Sequence, residues 1–397
     1  MTRFLVLNEL HPSEQPGAAT IALDYASALA KFSDTIFVHT SISDNVQETQ
    51  IPKIKSLARG KGVHRAGYSG ELLSTATDLF GVIKASRYLK EIRNLNPDFI
   101  WVHQIGNFIP RLLLFFLSSV APVVMTIHDY SLIVPRKLYP SDLDRPRLYA
   151  LNVDSSPSNR SVRQAVFAIF KTTFYKLRRL TLRLYLRRVK LVCISQQQAQ
   201  IYRSYGYRVV AVIPNGIAKC TCIDTASTNR LNTVLFLGRL TGKGVDRLLE
   251  SVSDLGTSAV FAGGEELNEK ITKFPGKLNA RFLGHLNRDE VLSEMHKTSF
   301  VYLASDCFDV YPTTGLEAIR HGAMPIVSET TGLRDLVRLI EPTFVLDSHQ
   351  NHVPIESYFR AMEARKAELY SKLEQVNESL PTVEQSLKQY LEFMQIS

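Results

Sequence analysis

Acidic residues are missing from the middle of this sequence: no Asp or Glu occurs from Ser155 through Ile223. A basic stretch of that length has no carboxylates of its own, so its cations either face an anionic partner or are solvated. Cysteine is scarce as well. The four thiols are Cys193, Cys220, Cys222 and Cys307. Their spacing fits no zinc pattern, and Cys-x-Cys makes a poor disulfide. They read as reduced thiols of a cytoplasmic protein. Long apolar runs are absent too. The longest, over 112–127, is broken by Ser118, Ser119 and Pro122. It is short for a bilayer span and predicts a helix end, a turn and a strand. The opening run before Glu9 is too short for a signal peptide. No internal repeat or low-complexity segment is present. A Walker A loop is excluded, because no Gly-Lys-Ser/Thr follows a suitably spaced glycine.

What remains is an ordinary globular composition, 45% hydrophobic and 21% charged. A chain of 397 residues is too long for one ordinary core and predicts two domains. Lys plus Arg number 47 against 38 Asp plus Glu, giving +9 and a pI near 9.3. That balance points to nucleotide phosphates, acidic lipid headgroups or nucleic acid.

Hydrophobic patterning gives a strand over 4–8, a helix over 18–32 and a strand over 35–40. This βαβ start implies a parallel sheet with right-handed crossovers. Gly17 at the loop-to-helix junction lets backbone approach a diphosphate. Residues 41–80 read as irregular. A helix over 81–95 and a strand over 97–103 follow. The strand over 122–127 then delivers His128 at its carboxyl end, where open α/β sheets hold ligands. An imidazole there orients a hydroxyl without adding charge. Asp129 either fixes its tautomer or folds back on the loop. His103 is a second, more structural candidate.

The segment from Arg160 to Lys190 reads as one helix. Val162, Val166, Ile169, Leu177, Leu180 and Leu184 form its apolar stripe, and Arg178, Arg179, Arg183, Arg187 and Arg188 lie among its cations. Two readings stand. Either the apolar side packs on the sheet and the charges are solvated, or the helix meets an anionic membrane. Strands over 191–195 and 209–213 lead to the turn Pro214-Asn215-Gly216.

After a small polar stretch over 218–232, a second βα unit opens with Leu237-Gly-Arg-Leu-Thr-Gly-Lys-Gly244. Arg239 and Lys243 flank its glycine-rich turn, as two cations suited to a diphosphate. Strands over 259–264 and 280–286 end in glycines. The segment from Asp306 to Ser328 reads as loop, short helix and buried strand, with Thr313 and Thr314 as capping residues behind Pro312. Gly315 removes a side chain at the helix start. Asp309 and Glu317 bracket this anion-friendly helix end. A last helix spans 383–394.

These segments resemble the retaining glycosyltransferases of family 4 (glycosyl transferases group 1), which have the GT-B fold. Thr314-Gly-Leu-Glu-Ala318 matches the family's "x-x-L-E-A" segment, with Asp309 where the family has its first Glu. Thr126-Ile-His-Asp-Tyr130 matches "T-x-H-D-Y", with Ser131 in place of the usual aromatic. Gly238-Arg-Leu240 matches "G-R-L", although Lys243 follows one residue early. Gly17-Ala18 keeps one of the family's two glycines.

The resemblance implies an α/β chain of two Rossmann-like domains facing a central cleft. The first spans 1–217, the linker 218–232 and the second 233–382, with a helix over 383–397 crossing back to the first. It implies transfer of a sugar from a nucleoside-diphosphate donor to a hydroxyl of a glycan or lipid-linked acceptor, in polysaccharide or glycolipid synthesis. His128, Arg239, Lys243 and Asp309 are the expected catalytic residues. Gly17, Gly284, His285, Pro312, Thr313, Thr314, Gly315 and Glu317 are the expected donor contacts. No metal and no other cofactor is expected. The expected partners are the nucleotide sugar, the acceptor and an anionic membrane surface through Arg160–Lys190. Nucleic acid is not among them. The expected location is the cytoplasm, peripheral at the inner face of the cell membrane. A non-catalytic GT-B scaffold in a glycan-assembly complex is the alternative reading.

Overall fold

The computed structural model describes residues 1–12, 17–40, 53–57, 81–106, 108–134, 139–140, 162–218, 230–238, 242–253, 258–347 and 355–395. The chain divides into two compact units, Met1–Gly216 with Val383–Ser397, and Ile217–Thr382.

In the first unit, β1 (Arg3–Asn8), β2 (Asp34–His39), β3 (Ile54–Ser56), β4 (Phe99–Gln104), β5 (Val123–Ile127), β7 (Val189–Cys193) and β8 (Val209–Val212) form one sheet. Its order is β3-β2-β1-β4-β5-β7-β8, with every pairing parallel. A two-residue strand, β6 (Tyr139–Pro140), lies outside it. The helices are α1 (Ala18–Leu29), α2 (Val82–Asn94), α3 (Leu113–Leu117), α4 (Val162–Tyr185) and α5 (Gln196–Ser204). Strands such as β1 and β5 are apolar in unbroken runs and buried, as a parallel sheet covered on both faces requires. Ser195 caps α5 by accepting the Gln198 N–H at 3.2 Å.

The second unit repeats the scheme. It contains β9 (Leu231–Leu237), α6 (Val245–Val252), β10 (Ser258–Ala262), α7 (Glu265–Thr272), β11 (Asn279–Phe282), α8 (Arg288–Lys297), β12 (Thr298–Leu303) and β13 (Cys307–Phe308). It continues with α9 (Thr313–Arg320), β14 (Met324–Ser328), α10 (Arg334–Ile340), β15 (Val345–Leu346), α11 (Ile355–Ala364) and α12 (Lys366–Ser379). The sheet order is β11-β10-β9-β12-β14-β15, again parallel. A capping box starts α8: the Glu290 N–H donates to Asn287 Oδ1 and the Asn287 N–H to Glu290 Oε2.

The last helix, α13 (Val383–Met394), belongs to the first unit. Leu387, Tyr390 and Met394 join the core formed by Phe4, Tyr25 and Trp101. A buried chain of hydrogen bonds fastens it there. The Trp101 indole donates to Thr126 Oγ1 at 2.9 Å, and that hydroxyl donates to Tyr390 at 3.0 Å. Thr126 therefore ties the terminal helix to the strand that carries His128.

Several details depart from the sequence reading. Ile54–Ser56 is a strand inside a stretch expected to be irregular; its three residues are too few to leave a period in the sequence. Leu231 and Asn232 belong to β9, not to the linker. Pro312, not a threonine, holds the N-cap of α9, and no side chain caps it. Leu177, Leu180 and Leu184 face outward, while Tyr175, Leu182 and Leu186 pack inward. Arg178, expected among the exposed cations, is 1% exposed and donates to Ser131 O at 2.8 Å. The helix is rotated from the expected register because burying Arg178 satisfies two loop carbonyls, Ser131 and Leu132. Of the expected thiols, Cys193 and Cys307 are buried and form no disulfide with each other, while Cys220 and Cys222 fall outside the described residues.

Candidate functional site

In the second sheet the strand order reverses between β9 and β12. Loops leaving the carboxyl ends of two such strands diverge and open a crevice for a ligand. Here the loop after β9 carries Lys243 and the loop after β12 carries Asp306 and Asp309. They meet directly. Lys243 Nζ lies 2.5 Å from Asp309 Oδ2, with both side chains largely buried. The Gly244 N–H and Arg247 both donate to the Asp306 carboxylate, at 3.1 and 2.7 Å. The Asp306 N–H in turn donates to Gly242 O at 3.2 Å. The Cys307 thiol reaches the same carbonyl at 3.4 Å.

Glycine is required at this crossing. Gly244 has φ +66°, and a Cβ there would lie 2.2 Å from Ala304 O. No L side chain fits both constraints. The Tyr302 hydroxyl donates to Gly244 O at 3.1 Å, and burial raises its pKa, so it stays a donor.

Gly238 closes against the neighbouring strand. Its N–H donates to Ala262 O at 3.1 Å. Gly284 has φ +71°, with nothing within 4 Å of where a side chain would begin. His285 is exposed beside Gly264. This stretch presents open backbone at Gly284.

The helix α9 starts at Thr313 behind Pro312, with Thr313 and Thr314 half-exposed. Glu317 is mostly buried and takes a hydrogen bond from Arg288 at 3.1 Å. Gly315 plays a different part from the one expected. A Cβ there would lie 2.3 Å from Leu333 and 3.0 Å from Leu303. Its missing side chain makes room for core leucines rather than for a ligand. Arg239 lies outside the described residues.

The first unit has the same switch point, between β1 and β4. Gly17 precedes α1 with φ +91° and open space beside it. Glu9, buried at the end of β1, accepts the N–H groups of Gly106 and Ile109 at 3.0 and 2.8 Å, and that of Phe108. It thereby fixes the loop after β4. His128, beyond β5, pairs Nε2 with Nδ1 of His103 at 2.9 Å, and the two rings stack. Burial lowers the pKa of His128 to about 4, with nearby Asp129 opposing the shift. Burial also lowers His103, and His128 adds to it. Both rings are neutral at physiological pH. Asp129 accepts from the Ser131 N–H at 2.8 Å and from Gln104 at 3.3 Å. It folds back on the loop.

Sequence reasoning missed Asp306, Arg247 and Arg288, which hold the loops, and Glu9, which ends a strand like the recognised histidine. The position of Glu9 after an apolar strand was a usable signal. The other three lacked one, because their partners lie 29 or more residues away along the chain.

Comparison with known proteins then gives two family matches. The model of Glycosyltransferase Family 4 matches residues 16–218. The model of Glycosyl transferases group 1 matches residues 224–376. No protein among curated sequences matches the chain. Solved structures resemble it over their full length. Anabaena HepE, in complex with UDP and glucose, has a TM-score of 0.66 at 15% identity, covering 100% of both chains. Sucrose-phosphate synthase of Thermosynechococcus elongatus has a TM-score of 0.70 at 13% identity, covering 100% of this chain and 98% of its own. A UDP-forming α,α-trehalose-phosphate synthase of Burkholderia xenovorans has a TM-score of 0.64 at 13% identity, with 99% and 98% covered.

Proposed function

The chain belongs to Glycosyltransferase Family 4 and is a glycosyltransferase of the GT-B fold, and on that premise we propose that it moves a hexose-like sugar, with retention, from a nucleoside diphosphate to an acceptor hydroxyl. The observation that carries the donor half of this reading is the Lys243–Asp309 pair at the switch point of the second sheet. A lysine and a carboxylate meeting where two strand ends diverge suit a diphosphate and a sugar hydroxyl in turn. HepE, which has the same fold, is seen with UDP and with UDP-glucose, and this supports a nucleotide sugar as donor.

In this reading Lys243 and Arg239 stabilise the diphosphate as it departs. Asp309 and the backbone of Pro312, Thr313 and Thr314 hold the sugar, with Gly315 shaping the helix behind them. Glu317 takes the ribose, held in place by Arg288. Gly17 lets backbone close on the diphosphate, and Gly284 and His285 flank the base. The bond from the anomeric carbon to the diphosphate breaks. The acceptor oxygen bonds to that carbon on the same face, and its proton passes to the departing diphosphate. His128 orients a sugar hydroxyl as a neutral imidazole. Side-chain cations rather than a metal neutralise the leaving group.

The acceptor we assign is a glycan or a lipid-linked glycan used in cell-surface polysaccharide or glycolipid synthesis. The enzyme then works in the cytoplasm at an anionic membrane surface, reached through Arg160–Lys190. The outward Leu177, Leu180 and Leu184, each about half exposed, beside Arg183 and Arg187 support this placement. Among the described residues no helix is long and apolar enough to cross a membrane. A donor panel followed by mass measurement of the product tests the transfer. One donor giving an acceptor heavier by one sugar supports it; release of no sugar from any donor refutes it.

A further inference from the structure

The first unit gathers cations at the end of its sheet opposite His128. β7 and β8 begin at Val189 and Val209. Their amino ends border a cavity of about 540 Å³. His128 follows the carboxyl end of the parallel strand β5, so the cavity is remote from it along the strands.

Arg183, Arg187, Arg188, Lys190 and Arg208 line this cavity, and among the described residues no acidic side chain does. The last turn of α4 explains part of that. A helix C-terminus favours cations, and Arg183 sits there. It does not explain Lys190 and Arg208, which come from the edges of two strands. All five are exposed, so together they form a strongly positive surface that would attract an anion. Gly206, just past the end of α5, has φ +79°, and the Arg183 guanidinium lies beside it. Lys190 Nζ stands 5.0 Å from the centre of the Phe393 ring, so α13 supplies an aromatic wall beside a cation. Leu186 and Tyr207 continue the apolar side.

We propose that this cavity binds a phosphate ester carried on an apolar or aromatic body. Guanidinium groups provide the forked donors that phosphate oxygens need, and the Phe393 wall takes the body. The site is separate from the donor crevice and does not depend on the transfer reaction. Its phosphate comes either from a lipid headgroup or from a free phosphate compound.

The test uses the full chain and a double variant, R187Q/R208Q. Calorimetry measures inorganic pyrophosphate, with K243A protein used to remove the donor crevice's share. Sedimentation measures vesicles of phosphatidylcholine with and without phosphatidylglycerol. A second double variant, K84Q/K90Q, removes equal charge from α2. An unchanged melting temperature identifies the variants that keep their fold, and R187K/R208K, which keeps the charge, serves if the glutamines do not. A tenfold or greater loss for both probes, specific to the cavity variant, places a lipid headgroup there. A tenfold loss for pyrophosphate alone assigns a free phosphate compound. An unchanged pyrophosphate affinity overturns the proposal, whatever the vesicles do, and so does an equal loss in K84Q/K90Q.

Discussion

The two switch points handle polarity in opposite ways. In the first unit, His103 and His128 face each other as neutral, desolvated rings. In the second, Lys243 pairs with Asp309 and Arg247 with Asp306 across two loops. The same strand order thus supports a pair of neutral rings in one unit and pairs of opposite charge in the other. The difference follows from solvent. A buried imidazole gives up its proton to avoid desolvation, whereas a cation and a carboxylate in contact offset each other's charge. A neutral ring suits the orientation of hydroxyls, and mobile charge suits a diphosphate whose charge grows as it leaves.

The largest test of that contrast removes a cation. Lys243→Ala is expected to lower turnover by about 10²–10³-fold, the usual scale for losing one stabiliser of developing charge, with the fold intact by circular dichroism. Arg239→Ala is expected to match it. Equal turnover in wild type and K243A removes Lys243 from the mechanism.

Next comes the loop crossing beneath the charges. Gly244→Ala places a methyl against Ala304 O and forces an L residue to φ +66°. It is expected to cost about 2–4 kcal/mol, combining strain and clash. Denaturant unfolding measures it, and a cost below about 0.5 kcal/mol contradicts the packing described.

The neutral pair sharpens the comparison through pH. The folded pKa of His128 lies near 4, below its unfolded value of 6.5. Between those values the unfolded chain binds a proton that the folded chain refuses. Stability therefore falls as pH drops through that window, by up to about 3 kcal/mol for this ring. His128→Gln is expected to flatten the decline. A wild-type stability curve that is level from pH 6.5 to 4 contradicts the burial of the pair.

The smallest effect is expected at the terminal helix. Tyr390→Phe keeps the ring and removes the hydroxyl that meets Thr126, at a cost of about 1 kcal/mol. Calorimetric unfolding with no change in the first unit's midpoint contradicts the anchoring role.

Much of the fold was legible because parallel strands write themselves as unbroken apolar runs. The strands around 4–8, 122–127 and 324–327 needed no tertiary information. The helix over 383–394 was read at its observed bounds. The register of α4 was not legible. Leucine at positions 177, 180 and 184 looks like a packing stripe on periodicity alone, and only the burial of Arg178 under the loop at Ser131 reverses it. The site was partly legible for a similar reason. Lys243 and Asp309 were visible as separate residues of two loops. That they touch is a property of the β9–β12 adjacency, which no local pattern encodes. Gly315 was recognisable as necessary, but its reason, room for Leu303 and Leu333, lies in the core.

The central claim, that Lys243 and Glu317 serve one nucleoside diphosphate, reduces to a binding measurement. Calorimetric titration of nucleoside diphosphates into wild type, K243A and E317Q is the most direct form. One nucleotide is expected to bind wild type with unit stoichiometry, and each substitution is expected to weaken it at least tenfold. Wild-type affinity retained in both variants would contradict the account.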